Sequence, residues 1–561
     1  MKFLWTVFVP RDVVPARSFG CGELPMSRIL VGQRVFILTL AVAAVTVVFL
    51  HFWRIGTAPP GFYGDECSIA YNAYCICETG ADEYGVRWPM FFRSFDTFTD
   101  PVNVYSVAVP VRIFGLHPWV ARLPSGLYCL TACVAFFLLL RMWRIGEWVA
   151  LGGSFVLSVI PWVFTLSRNC AFAGNTAALL GLVMGLILTD SALRQRSNWR
   201  AILAGAAWAF TIYAHQSARP VLALLGAGSC LVLWRPLARR WRVVLVITAS
   251  ALVVLLPLII SVLRSPEALT TRFEQVGIFQ KGGSLTGVIS AMASRYLDYF
   301  SPRFLFISGD DTLRHHTGWG GELYWHLAPL ILAGLYVVVR YWRRQPRYRI
   351  VLVGLLVSPV SAALTVDRMH STRSAYGVIF WLLLAMLGAR WLWQRKGLWR
   401  KLLLLMIGAG TLEIGLYLHN YFGAYQARCR FAYQGELVEA LKYCFHHLDD
   451  NQVLYISDST FSPHGSMVNA ELKPFLYAYV LFYGKIDPRK YQQTGFPMDT
   501  VRLYDNNAAR PGLLLRCNYR WLSPTVAQWT PNVEPLPAGS VLLTRIPFQD
   551  LDLQYEIFKI P

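Results

Sequence analysis

The sequence predicts a polytopic α-helical membrane protein with a small α/β domain at its C-terminal end. Three observations carry that expectation. Of 561 residues, 55% are hydrophobic and 15% charged, with a mean hydropathy of +0.41, too apolar for a soluble domain. Apolar segments close to the roughly 20 residues that a helix needs to cross hydrocarbon recur as far as about residue 420. Basic residues crowd alternate connections between them, the bias that holds loops in the cytoplasm.

In chain order, eleven segments qualify: 35–53, 121–140, 148–166, 171–189, 201–216, 220–234, 243–263, 323–340, 350–366, 374–393 and 402–419. The first, VFILTLAVAAVTVVFLHFW, carries no Lys, Arg, Asp or Glu; several others are short or interrupted by Gly and Pro. The stretch 104–116, VYSVAVPVRIFGL, is too short to span and is expected to lie along the surface. With the N-terminus inside, the inward connections are 1–34, 141–147, 190–200, 235–242, 340–349 and 390–401. They hold 24 Lys and Arg against four acids, Asp12, Glu23, Glu147 and Asp190. The net charge of +20 is therefore mostly a topology signal, the bilayer is the partner it implies, and no nucleic acid is needed to explain it.

This topology divides the chain into a cytoplasmic tail 1–34, a transmembrane domain 35–419 with outer loops 54–120 and 264–322, and an extracytoplasmic soluble domain 420–561. MKFLWTVFVP followed by Arg11 and Asp12 is not a signal-peptide pattern, and Met26, opening MSRILVGQRVF, is an alternative start. The eleven cysteines form no CxxC pair and no zinc-like spacing with histidine, so Cys75 and Cys77 read as packing residues. Past 420, QGELVEALKYCFHHL has helical periodicity, QVLYIS reads as a buried strand, KPFLYAYVLFYG as a second helix, and GLLLRC and SVLLTRI as further strands. Strands mixed with helices suggest a small α/β unit that serves as a lid or docks an acceptor.

Polar groups at the outer ends of membrane helices are costly unless they do something. GFYGDECSIAYNAYCICETGADEYG (61–85) holds five carboxylates, Asp65, Glu66, Glu78, Asp82 and Glu83, and no base. SRNCAFAGN offers Arg168 and Asn175; TIYAHQSAR offers Tyr213, His215 and Arg219; DRMHSTR offers Asp367, Arg368, His370 and Arg373; DDTLRHH offers Arg314 and His315. A carboxylate pair facing Arg and His suits a membrane-anchored phosphate substrate: Arg supplies fixed donors to phosphate oxygens and a carboxylate accepts a hydroxyl proton. Taken singly, each has a plainer reading, as a solvated loop, an Arg reaching the lipid headgroups or a capping His. Glu78, Asp82 and Glu83 are expected to be a solvated helix end and turn.

GFYGDECSIAYNAY with DEYG, and RLPSGLY at 122–128, resemble the first outer loop of the protein O-mannosyltransferase and aminoarabinosyltransferase superfamily. YFSPRFLFISGDD with RHH and GGELY is similar to a later outer loop of bacterial members. HQSAR and HSTRS fall where those proteins have similar hairpins, and YISDST with VLFYGKIDPRKYQ resembles the C-terminal domain of a bacterial subgroup. The resemblance implies a GT-C fold of about 11 transmembrane helices in a bacterial inner membrane, with a polyprenyl-phosphate sugar as donor and a protein, lipid or glycan as acceptor. It makes Asp65 the catalytic acidic residue, Glu66 its companion and Arg168 the Arg that follows the third helix. Asn175 stands where many members have a second Asp, and Thr99, in FTDPVNVY, where many have a Lys. Donor-phosphate contacts are therefore expected from Arg219, Arg314, His315, His370 or Arg373. No cofactor is called for by any motif, and a divalent metal is left open.

The expected activity is transfer of a sugar to an acceptor hydroxyl on the extracytoplasmic face, inverting, with Asp65 as base; a transporter or flippase of lipid-linked sugars and a non-catalytic membrane scaffold are the alternatives. Transporters tend to carry charge near mid-membrane on broken helices with an internal repeat, which this sequence lacks. The charge asymmetry itself makes a prediction. A reporter that is active only in the cytoplasm, fused after Pro561, should give no signal; strong activity there would invert the topology.

Overall fold

The structure, a computed structural model, describes residues 26–95, 97–278, 284–395, 397–457, 473–495, 499–504, 510–521, 529–532, 534–548 and 553–561. Residues 1–25 of the expected tail and residues 458–460 of YISDST lie outside them. The chain forms two compact units, Met1–Thr46 and Val47–Pro561. The described part of the first is helical, and Leu38, Val42 and Val45 are exposed on it. Apolar side chains left bare are what a segment solvated by lipid presents.

All eleven expected apolar segments are helical. Among the described residues, six helices are long and apolar enough to cross a membrane: Gly32–Phe52, Pro118–Met142, Cys170–Gln195, Trp241–Arg264, Gly377–Gln394 and Leu398–Phe422. A seventh is a pair, Glu147–Val159 and Pro161–Ser167, bent by 57°. Pro161 explains the bend: it donates no N–H and pushes Ile160 into the extended conformation seen there. The others, Asn198–Ala214, Ala218–Val232, Leu327–Tyr341 and Pro346–Val357, are shorter, so length and apolarity together pick out six, or seven with the bent pair, of the eleven expected crossings among the described residues. Helices pack through small residues, as expected where lipid competes for apolar contact. A Cβ on Gly334 would stand 1.9 Å from the Leu384 carbonyl oxygen, and one on Gly388 2.0 Å from that of Leu330. The segment expected along the surface is the helix Pro101–Phe114, which buries Val104, Val107 and Val111 and exposes Val109 and Ile113.

The C-terminal region holds the helices Gly435–His447, Lys473–Tyr483 and Pro488–Thr494 and a five-stranded mixed sheet. Its strand order is Val501–Leu503, Val453–Ile456, Gly512–Cys517, Gln554–Ile560, Val541–Pro547; the first three run parallel and the last two pair antiparallel. The sheet region does not stand apart from the first outer loop. Phe62, Cys67, Tyr71 and Val104 share one core with Leu437, Leu441, Tyr479, Leu481 and Ile557.

That shared core corrects one expectation. Asp82 and Glu83 are buried, not solvated, because the helices Lys473–Tyr483 and Pro488–Thr494 cover them. Tyr477 Oη donates to Glu83 Oε1 at 2.9 Å, and Gln492 Nε2 donates to the Asp82 carbonyl at 2.7 Å. Asp82 Oδ1 also accepts the N–H groups of Tyr84 and Val86, closing the turn. Glu78 alone stays partly exposed, near Arg112 and Arg489.

Burial pushes Glu83 up from an ordinary carboxylate value of 4.5 to about 8; the donors Tyr477 and Asn72 offset this in part, and the neighbouring Asp82 adds to it. The folded protein therefore holds a proton that the unfolded chain has released. This contribution is complete below about pH 4.5 and is lost as pH rises through about 8. Thermal unfolding of the detergent-solubilised protein should fall more steeply between pH 6 and 9 for the wild type than for Glu83→Gln, by up to about 1.4 kcal/mol per pH unit for one proton. Identical slopes would remove Glu83 from the seam between loop and sheet.

Candidate active site

The site is organised where the chain leaves its first long helix. Tyr63 caps the helix Gly64–Thr79, whose first turn carries Asp65 and Glu66. Glu66 is fully buried. Its two oxygens accept Arg122 Nε and Nη2, each at 2.8 Å, and Oε1 also accepts the Cys170 N–H at 3.0 Å. Arg122 donates further to the carbonyls of Ile55, Pro59 and Gly61. Successive helical residues point about 100° apart, so with Glu66 held inward, Asp65 is turned outward. It is exposed, at the positive end of the helix dipole, where a carboxylate is favoured.

Asp65 lines a cavity of about 960 Å³. Around it lie several bases, most of them paired with a carboxylate; Arg368, one of them, lies 2.8 Å from Asp298. Arg219 Nη2 pairs with Asp100 Oδ1, whose Oδ2 accepts the Gln216 N–H at 2.7 Å. Arg373 Nη1 donates to Asp367 at 2.7 Å and to Thr365. His315 Nδ1 lies 2.9 Å from Asp310 Oδ2, and its ring is centred 4.6 Å from that of His370. Arg314 lies over the Tyr63 ring, 4.8 Å from its centroid. Among the described residues its guanidinium makes no hydrogen bond or ion pair. His215 also lines the cavity, its Nδ1 at 2.6 Å from Ser217 Oγ.

A buried network ties the outer loop to the hairpin that carries His370 and Arg373. Asp310 accepts the N–H groups of Thr312 and Ser371. Glu322 Oε1 accepts the Asp310 N–H at 3.1 Å and the Ser371 hydroxyl. Burial pushes the Glu322 carboxyl up to about 8; the Ser371 hydroxyl opposes this and the Asp310 charge reinforces it. Burial would raise Asp310 too, but the His315 charge and hydrogen bond, His370 and the Ser371 N–H hold it well below the usual carboxylate range.

Of the residues expected in the site, Asp65, His215, Arg219, Arg314, His315, His370 and Arg373 share the cavity. Four do not line it. Glu66 belongs to the buried pair with Arg122. Arg168 is buried, and its Nη groups donate to the carbonyls of Leu50, His51, Trp53 and Ala58. It thus satisfies the acceptors that the end of the first helix leaves open. Asn175 Nδ2 donates to the Thr372 carbonyl at 2.7 Å, propping the hairpin from beneath. Tyr213 Oη bridges the Val254 carbonyl and the Leu258 N–H beside Pro257. Sequence reasoning gives no role to Asp100, Arg122, Asp310 or Glu322. The last three sit in the blocks RLPSGLY, ISGDD and GGELY, and Asp100 directly precedes the proline that starts a helix.

No protein-family model matches the sequence, and no curated protein does. Solved structures do. ArnT from Cupriavidus metallidurans bound to undecaprenyl phosphate matches with a TM-score of 0.51 and 15% identity over 86% of this chain and 93% of that one. The apo state of ArnT gives 0.50 and 14% over the same shares. An oligosaccharyltransferase from Archaeoglobus fulgidus, complexed with Zn and sulfate, gives 0.46 and 14%, covering 75% of this chain and 60% of that one. At such identity the likeness is one of fold: the chain has the GT-C fold of ArnT.

The buried pair predicts a stability signature. Arg122→Met leaves the buried Glu66 charged with only the Cys170 N–H as partner, and should lower stability to denaturant by about 3–5 kcal/mol. The double variant Arg122→Met/Glu66→Met, which buries neither charge, should recover most of that loss. If the single variant unfolds like the wild type, the pair does not hold the loop.

Proposed function

We propose that this integral membrane protein is a glycosyltransferase that moves a sugar from a polyprenyl-phosphate carrier to an acceptor hydroxyl on the extracytoplasmic face of a bacterial inner membrane. The observation that carries the reading is one cavity holding an outward carboxylate, Asp65, together with Arg314, Arg219 and Arg373. The fold shared with ArnT, which was solved with undecaprenyl phosphate bound, supports the donor class.

The chemistry needs little more than these groups. Asp65 accepts the proton of the acceptor hydroxyl while its oxygen attacks the anomeric carbon. The bond from that carbon to the phosphate oxygen breaks, and the carrier leaves as polyprenyl phosphate. A phosphate departs without acid help, so one positioned base suffices and the configuration inverts. Arg314 is the first candidate for the phosphate, because Arg219 and Arg373 are already paired with Asp100 and Asp367. A desolvated, charge-assisted contact is worth about 1.5–3 kcal/mol. A protein, lipid or glycan supplies the hydroxyl.

Single-turnover transfer from a labelled polyprenyl-phosphate sugar tests this, with the product's anomeric configuration read by NMR. Asp65→Asn should bind donor normally and turn over at least about 100-fold more slowly, with Glu66→Gln less affected. Arg314→Ala should weaken donor affinity by roughly 10- to 100-fold. Near wild-type turnover in Asp65→Asn would end its assignment as base, and a retained configuration would exclude the single displacement.

A further inference from the structure

Asp310, His315 and His370 form a cluster that the proposed transfer does not use. One ligand atom from each lies within 4.8 Å of the other two. Asp310 and His315 come from the outer loop before the helix Leu327–Tyr341; His370 comes from the hairpin before Gly377–Gln394. All three line the same cavity wall. We propose that they bind one divalent transition-metal ion of the zinc class.

Three features favour a built site over an incidental ion pair. The donor set, two imidazoles and one carboxylate, is the kind that selects zinc-like ions and leaves a coordination position open. Each ligand is oriented by a second contact, as metal ligands commonly are. Asp310 is held by the Thr312 and Ser371 N–H groups, His370 Nδ1 lies 2.9 Å from Thr372 Oγ1, and the His315 ring packs edge-on against Phe172. The two imidazole rings lie side by side, with centroids 4.6 Å apart, an arrangement that repels when both are protonated and that a shared cation makes favourable. Ligand atoms around a tetrahedral zinc are about 3.4 Å apart, so side-chain adjustments of about an ångström close the site. Binding takes neutral imidazoles and an ionised carboxylate, and any imidazolium gives its proton to solvent. The ion would join the loop to the hairpin over the cavity and supply a positive charge among its bases.

The test reads metal and not transfer, so it is independent of the activity proposed above. The full-length protein in detergent, stripped with a chelator, is dialysed against Zn2+ or Co2+. Metal per chain is then measured by mass spectrometry, and the Co2+ complex by its visible absorption. The wild type should hold one ion per chain, show cobalt bands in the visible and gain melting temperature with Zn2+. His315→Gln and His370→Gln should each weaken binding at least about 10-fold and lose the Zn2+-dependent rise in melting temperature, while eluting as the wild type does in size exclusion. Less than a tenth of an ion in the folded wild type, or wild-type binding by the double variant, would leave Asp310–His315 as an ion pair only and overturn the proposal. A protein that binds the ion yet transfers no sugar would refute the transferase reading and leave this one standing.

Discussion

The turn that carries Asp65 to the cavity depends on the pair between Glu66 and Arg122. Both side chains are fully buried, which is tolerable only because every polar atom finds a partner. Arg122 uses its five N–H bonds on Glu66 and on three carbonyls of the turn 55–61, and Glu66 takes a sixth donor from Cys170. Three separate stretches are thereby fixed to one another: the exit of the first helix, the start of Pro118–Met142 and the short turn before Ala173–Gln195. Because adjacent helical residues diverge by about 100°, fixing Glu66 also fixes the direction of Asp65. The acidic dipeptide divides its labour by geometry: one carboxylate anchors the loop and the other faces the cavity.

Arg168 does parallel work one layer below. A membrane helix that ends at Phe52 leaves carbonyls without intrahelical donors, and near lipid there is little water to satisfy them. Two of them, on Leu50 and His51, converge on the Arg168 guanidinium together with the carbonyls of Trp53 and Ala58 just beyond, and that guanidinium lies over the rings of Phe164, Tyr421 and Phe422. An Arg expected to meet substrate completes backbone hydrogen bonding. Sequence offers no way to tell these roles apart, since both need the same residue at the same depth.

Local pattern is the part of this structure that can be read from the sequence. Apolar length marks all eleven helical segments, and periodicity finds the helices Gly435–His447 and Lys473–Tyr483 and three strands of the sheet. Contacts between distant residues are the part that cannot. Glu83 reads as solvated because its neighbours in sequence are polar; it is covered by Tyr477, nearly four hundred positions later. Asp100 is inconspicuous in FTDPVNVY, yet its pairing with Arg219 changes what that arginine has left to offer a ligand. The block ISGDDTLRHH is recognisable as a unit, but only the fold brings His370 beside it.

The charges on the cavity lining are mostly answered in pairs. Asp100 and Asp367 each neutralise an arginine, Asp298 neutralises Arg368, and Asp310 stands against His315; Asp65 and Asp311 add two further carboxylates. Arg314 is different: it is stacked on Tyr63, and an aromatic face orients a guanidinium without cancelling its charge. Tyr63 is also the residue that caps the helix on which Asp65 stands. The Arg314 guanidinium and the Asp65 carboxylate are therefore both anchored to the same turn of backbone, and the Glu66–Arg122 pair ties that turn to the start of Pro118–Met142.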